Sequence, residues 1–230
     1  MTFQWIANDV QTPIVEMRRY TFRPNQRDAF VDLFEERFIE SQEAVGARVL
    51  GTFCVAGKPD TLIWLRAFRH MESRKHALES FYGGPVWQMH RDAANETMID
   101  SDDVHLLRAI SPEGGVPIVG RRPAPGERKP AATYSLLISE LRFAEGLGNY
   151  HLWLRLFLRK AGADPVASLG TLPVENNYPR LPVWQNRPVH VALLRGDQAT
   201  VPELPLELRS MLRWDPEVLE LRPTARSLLR

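Results

Sequence analysis

Cysteine is nearly absent: Cys54 is the single thiol in 230 residues. No intrachain disulfide can form, which fits a reducing compartment. Long apolar runs are absent too. None approaches the roughly 20 residues that span a bilayer. The N-terminal MTFQWIANDVQTP lacks the basic-then-apolar pattern of a secretory signal. The expected location is therefore cytoplasmic, with no membrane contact. An excess of one charge sign is also missing. The formal net charge is +1 and no long basic run occurs, so no nucleic-acid partner is expected. The common cofactor motifs are missing as well. Without GxGxxG, a P-loop or GxSxG, nucleotide cofactors and serine hydrolysis are disfavoured. Without HxxxH or paired Cys/His spacing, no metal site is expected.

What remains is the composition of a globular protein, 44% hydrophobic and 25% charged, enough to build a real core. Cys54, within GTFCVAG, reads as a small buried hydrophobe rather than a nucleophile. Residues 1–13 form a tail. Ile14 to Phe22 reads as a strand, with Glu16, Arg18 and Tyr20 on one face and Val15 and Met17 on the other. Asn25 to about Ala44 reads as a helix with the stripe Phe30, Leu33, Phe34, Phe38, ended by Gly46. Arg48 to Val55 and Thr61 to Phe68 form an antiparallel hairpin, and Leu62, Trp64, Arg66 and Phe68 share a face of its second strand. A helix from Met71 to Phe81 breaks at Gly83-Gly84, and Pro85 restarts it to about Ile99. Ser101 and Asp102 turn the chain into a fourth strand, Val104 to Ile110. The order β-α-β-β-α-β is ferredoxin-like.

Residues 111–130 are rich in Pro, Gly and Arg and read as a linker. Arg121, Arg122, Arg128 and Lys129 are read as solvated linker charges rather than a polybasic patch. The pattern then restarts. ATYSLLISEL, LGNYHLWLRLFLRKA, GADPVASLGTL, PVHVALLRG and EVLELRP answer the first half in order, so 131–230 reads as a second, diverged copy. A sheet with helices on one side leaves its other face bare, and Trp64 and Phe68 are expected on that bare face. The expected fold class is α+β: two ferredoxin-like repeats, 14–110 and 131–230, packed as an α+β barrel. A homo-oligomer is expected.

EMRRYTFRPNQRDAFVDLFEERFIESQEAVGARVLGTF, TLIWLRAF and FYGGPVWQMHRDAANETMIDSDDVHLLR together resemble the NIPSNAP family. The second half, with TLPVENNYPRLPV and VHVALLR, resembles the C-terminal repeat of bacterial two-repeat members. The resemblance implies the dimeric α+β barrel superfamily. Distant relatives there include cofactor-free monooxygenases, haem enzymes and small-molecule isomerases. By that analogy a haem iron would take His90, His105 or His70.

The candidate site residues fall into two groups. Tyr82, Trp87, His90, Asp92 and Asn95 follow the Gly-Gly break. A projection at about 100° per residue places His90 in the apolar arc of its helix. It reads either as a core histidine or as an acid/base group projecting into a pocket. Asp92 and Asn95 read as ligand contacts or as solvent-facing residues. Glu16, Arg18 and Tyr20, with Trp64 and Arg66, would line the lumen of a closed barrel or face solvent. Glu175 to Tyr178, with Arg180, read as an ordered turn or a lid. The expected function is binding or transforming a small organic molecule in a barrel pocket, without a nucleotide cofactor. The alternative is a non-catalytic interaction module.

Overall fold

Period-2 alternation sorts the side chains of every strand onto two faces, and here both faces are covered. A computed structural model describes residues 13–118, 120–127, 131–196 and 201–230. The tail 1–12 and the linker residues Arg128 and Lys129 lie outside the described residues. The first half supplies strands β1 (Ile14–Phe22), β2 (Arg48–Val55), β3 (Lys58–Phe68) and β4 (Met98–Ala109). The second half supplies β5 (Tyr134–Glu140), β6 (Ala167–Thr171), β7 (Val189–Arg195) and β8 (Glu217–Pro223). They close into one antiparallel barrel in the order β1-β3-β2-β8-β5-β7-β6-β4. Each half therefore contributes four adjacent strands, β4-β1-β3-β2 and β8-β5-β7-β6. The halves meet at two seams. β2 pairs with β8 through Phe53–Pro223, Cys54–Arg222 and Val55–Leu221. β4 pairs with β6 through Leu107–Thr171, Arg108–Gly170 and Ala109–Leu169.

The lumen is filled by apolar side chains from all eight strands, among them Val15, Met17, Leu65, Leu107, Leu136 and Val191. One mouth is stoppered. Leu229 N–H bonds the Leu50 carbonyl at 2.9 Å, and Val116 packs on the lumen core. A cavity of about 30 Å³ is left there. The other mouth is open and carries the candidate site.

Helices cover the outer face of each half. On the first half, α1 (Arg27–Leu33) runs through a π-helical turn, Phe34–Phe38, into α2 (Ile39–Ala44). Gly46, at φ +95°, ends this run. Phe30, Phe34 and Phe38 pack on Trp64 and Leu62, as the helical stripe requires. α3 (Met71–Gly83) and α4 (Pro85–Thr97) meet at Gly84, where a Cβ would lie 2.7 Å from the Ser80 carbonyl oxygen. Pro85 occupies the first turn of α4, where its missing N–H leaves no bond unmade. On the second half, α5 (Leu147–Lys160) and the short α6 (Leu206–Ser210) seal Leu137, Ala192 and Leu194.

Three expectations change. The fourth strand starts at Met98, so Ser101 and Asp102 lie inside it rather than in a turn. Hydrogen bonding to β1 continues down to Phe22–Met98, which pulls this segment into the sheet. Trp64 and Phe68 lie beneath helices, and the face presented to the other sheet is the apolar set of Val15, Met17 and Leu65. Arg122 is not a solvated linker charge. It binds Glu43 at 2.6 Å and the Arg226 carbonyl at 2.7 Å, tying the linker to both halves. Arg121 is exposed and lies 3.4 Å from Glu127.

A packed lumen predicts asymmetric sensitivity to truncation. Leu107→Ala, fully buried between the halves, is expected to cost about 2–5 kcal/mol in urea unfolding. Asp92→Ala, on the exposed side of α4, should stay within about 0.5 kcal/mol. Equal midpoints for the two variants would contradict the packing.

Candidate functional site

Alternation along β1 puts Met17 and Arg19 on the lumen side, so Glu16, Arg18 and Tyr20 must point the other way. They lie beneath the first-half helices, neither in the lumen nor in solvent. β3 aligns Arg66 with Glu16 and Trp64 with Arg18. α3 adds Arg74. The Glu16 carboxylate, 0% exposed, accepts from Arg66 Nε at 2.6 Å, Arg74 Nε at 2.6 Å and Arg18 Nη1 at 3.1 Å. Burial alone would raise its pKa. The guanidiniums of Arg66, Arg18 and Arg74 outweigh burial and hold it at about 2, against an ordinary 4.5. Arg18 also donates to the Tyr20 hydroxyl at 3.1 Å and the Ser101 carbonyl at 3.3 Å. Arg66 donates to Gln42 Oε1 at 2.8 Å. Arg18 and Arg66 both lie over the Trp64 ring, 5.6 and 5.2 Å from its centroid.

Tyr82 and Trp87 border this layer. Their ring centroids are 4.9 Å apart, and Tyr82 stacks on Tyr178 of the β6–β7 connection. His90 is half-buried, with its ring against Phe38. Asp92 and Asn95 face outward and join neither layer nor lumen. α4 buries Ala94 and Thr97, while Met89 is 76% exposed. His70 caps α3, its Nδ1 accepting from Ser73 N–H at 3.1 Å.

Apart from His105, named only by analogy with haem enzymes, the polar residues of the open barrel mouth were not among the sequence candidates. The mouth's cavity of about 180 Å³ has a floor of Met17, Ile63, Ile138 and Val189. Its wall carries Arg19, Asp103, His105, Glu140, Arg187 and Glu217, and Trp214 stands at the rim. The carboxylates are committed to cations. Asp103 pairs with Arg19 at 3.4 Å, Glu140 with Arg187 Nε at 3.0 Å, and Glu217 with Arg19 and with Lys58 at 2.9 Å. Asp215 pairs with Arg209 at 3.0 Å. His105 is 7% exposed, and its Nε2 lies 3.5 Å from Asp103 Oδ1. Among the described residues, Asp103 is its one polar partner. Asp103 also accepts from Trp184 Nε1 at 2.8 Å. Burial would raise the Asp103 pKa, but His105, Arg19 and Trp184 together lower it, so the carboxylate stays ionised. His105 entered the sequence reading only by analogy, as one of three histidines that a haem iron would take. Its alternation with Asp103 on one strand was the signal available.

Both halves meet at this mouth. Arg19–Ile63 from the first half and Glu140–Val189 from the second are aligned strand pairs that both line the cavity. Counting three residues back along β1 and β5 reaches Glu16–Arg66 in the first half and Leu137–Ala192 in the second. The charged layer therefore belongs to the first half alone. Counting one back gives Arg18–Trp64 and Ser139–His190. His190 is held neutral by burial, its pKa pushed down to about 3. Cys54 is half-buried on β2, and burial raises its thiol pKa, which suits a packing role. Among the described residues, no group of three or more His, Cys, Asp or Glu side chains could hold a metal ion. No helix among them is long and apolar enough to cross a membrane.

These features define a mixed α+β barrel in which one chain supplies all eight strands and a polar cavity opens at one end. Residues 15–112 match the family model of NIPSNAP. Solved structures share the whole fold. A candidate monooxygenase from Lactobacillus acidophilus is 15% identical, covers 94% of this chain and 97% of its own, and has a TM-score of 0.54. A candidate monooxygenase from Fusobacterium nucleatum is 10% identical, covers 94% of each chain, and has a TM-score of 0.55. An anthrone oxidase-like protein is 10% identical over 97% of each chain, with a TM-score of 0.52. At these identities the likeness shows the fold alone. Among curated proteins, none matches the chain.

The Glu16 layer sets an acid limit on stability. A carboxyl whose folded pKa is about 2 and ordinary value 4.5 stabilises the fold above pH 4.5. That contribution, about 3 kcal/mol at neutral pH, is lost as pH falls from 4.5 toward 2. Glu16→Ala is expected to destabilise by about 3–5 kcal/mol at pH 7, because it strands three buried guanidiniums. The gap between variant and wild type should narrow in urea titrations at pH 3. An unchanged gap would show that Glu16 is not held ionised.

Proposed function

We propose that the chain binds a small organic molecule in the barrel-mouth cavity, with His105 exchanging a proton with it. The observation that carries this reading is the His105–Asp103 pair, set on the wall of a cavity whose floor is apolar. The carboxylates around it are committed to ion pairs, which leaves the imidazole as the wall group suited to exchange a proton with a ligand. Asp103 stays ionised and orients the ring, so it would stabilise an imidazolium once formed. Arg19 fixes Asp103 in turn.

The apolar floor and the 180 Å³ volume favour a compact, largely apolar ligand with one acidic or enolisable proton. That volume is below the roughly 300–1,000 Å³ of drug-sized pockets, and a haem would not fit it. In this reading the chemistry needs no nucleotide, metal or haem. Relatives of the same fold described as candidate monooxygenases or anthrone oxidase-like support a small-molecule role.

Each half is read as a ferredoxin-like repeat, a view supported by the matching strand orders of the two halves. The barrel then needs no second copy to close, so any homo-oligomer would form through an outer surface. The interaction-module alternative draws on the outer face of α5, where Leu152, Trp153 and Leu156 are more than half exposed. A reducing, cytoplasmic setting completes the reading, supported by the lone cysteine.

The test is a thermal-shift screen of small phenols, enols and diketones, with hits titrated by calorimetry against wild type and His105→Gln. Hits are expected to bind His105→Gln at least about tenfold more weakly, the cost of one lost charge-assisted bond. Undiminished affinity in that variant would remove the mouth from consideration.

A further inference from the structure

We propose that the layer beneath α3 holds a second site, a seat for a small oxyanion built from Arg66, Arg74 and Trp64 and covered by the β6–β7 connection. The charges do not balance there. Among the described residues, one carboxylate, Glu16, faces the three guanidiniums of Arg18, Arg66 and Arg74, and none of the four side chains is more than 1% exposed. The other partners are neutral: Gln42, Tyr20, the Ser101 carbonyl and the amides of Asn176 and Asn177. A buried cation without a counter-charge is costly.

The hydrogen bonding is incomplete in the same place. Among the described residues, Arg66 Nη2, Arg74 Nη2 and Trp64 Nε1 are buried donors without a partner. In a planar guanidinium, Nη2 shares an edge with Nε. Both Nε atoms hold Glu16, so both free Nη2 groups flank the same carboxylate. An oxyanion bound there would satisfy these donors and offset the surplus charge, the geometry for which arginine forks are suited.

The fold does not need these charges. At the equivalent register the second half carries Leu137 and Ala192, fully buried under α5 and α6. A layer without charged side chains at this register therefore covers the second half, and the charged version is specific to the first half.

The β6–β7 connection closes the seat. Arg74 Nη1 donates to Asn176 Oδ1 at 3.1 Å and Asn177 Oδ1 at 2.7 Å. Asn177 Nδ2 donates to the Met71 carbonyl at 2.6 Å, and Tyr178 stacks on Tyr82. These neutral amides engage Arg74 Nη1 and leave Nη2 for the oxyanion, and lifting this segment would be the way in.

The experiment compares sodium phosphate, sodium acetate and sodium chloride at matched ionic strength by thermal unfolding. Phosphate or acetate is expected to raise Tm by about 5 °C or more at 100-fold excess over Kd. Whichever does so identifies the class of oxyanion. Arg74→Gln should lose at least 90% of that shift. A selenate soak of wild-type crystals reads the site without a variant, through an anomalous peak within hydrogen-bond distance of Arg66 or Arg74 Nη2. Equal shifts from all three salts, or selenate at surface sites alone, would overturn the proposal.

Discussion

Closure of eight strands into one ring within a single chain is the constraint on which the rest depends. The seams β2–β8 and β4–β6 align three residue pairs each, so their own hydrogen bonds are few. Burial of the lumen holds them shut: Leu107, Leu136 and Val191 leave water only if both halves meet. The closed lumen in turn expels polarity. Inward positions must be apolar along the barrel, and charges can survive only at a mouth or under the helices. Both candidate sites follow from that exclusion.

The two sites solve the problem of charge differently. At the mouth, Arg19, Arg187, Lys58 and Arg209 each answer a carboxylate, and the cavity reaches solvent. Charges in that setting cost little, and His105 stands among them on the cavity wall. Beneath α3, Glu16 is ionised far from water and outnumbered. There the geometry is rigid and the surplus is positive. The mouth suits a compact apolar molecule that exchanges a proton, and the helix layer suits an anion.

Much of the architecture was legible because it rests on local periodicity. Glu16, Arg18 and Tyr20 were correctly separated from Val15 and Met17, and the break at Gly83-Gly84 falls where two helices meet. Which face of β1 looks inward was not legible. In a sheet covered by helices both faces are buried, and three arginines sharing one glutamate can occupy a core that composition reserves for apolar residues. The polar face was therefore read as lumen or solvent and is neither. Trp64 misled in the same way, since a large aromatic suits either covered face. The mouth was hidden for another reason. Arg19, His105, Ile138, Val189 and Glu217 come from five strands, and only closure brings them together. Asp103 lay next to residues read as a turn, so its alternation with His105 on one strand was missed.

The most direct measurement is a crystallographic fragment screen of the native chain. The account predicts organic fragments at the open mouth, in contact with His105 and resting on Met17 and Ile138. It also predicts that the lumen beyond them, around Leu65 and Leu136, stays dry and unchanged. Fragments seated within that lumen, or a mouth that stays empty while the outer face of α5 collects them, would contradict it.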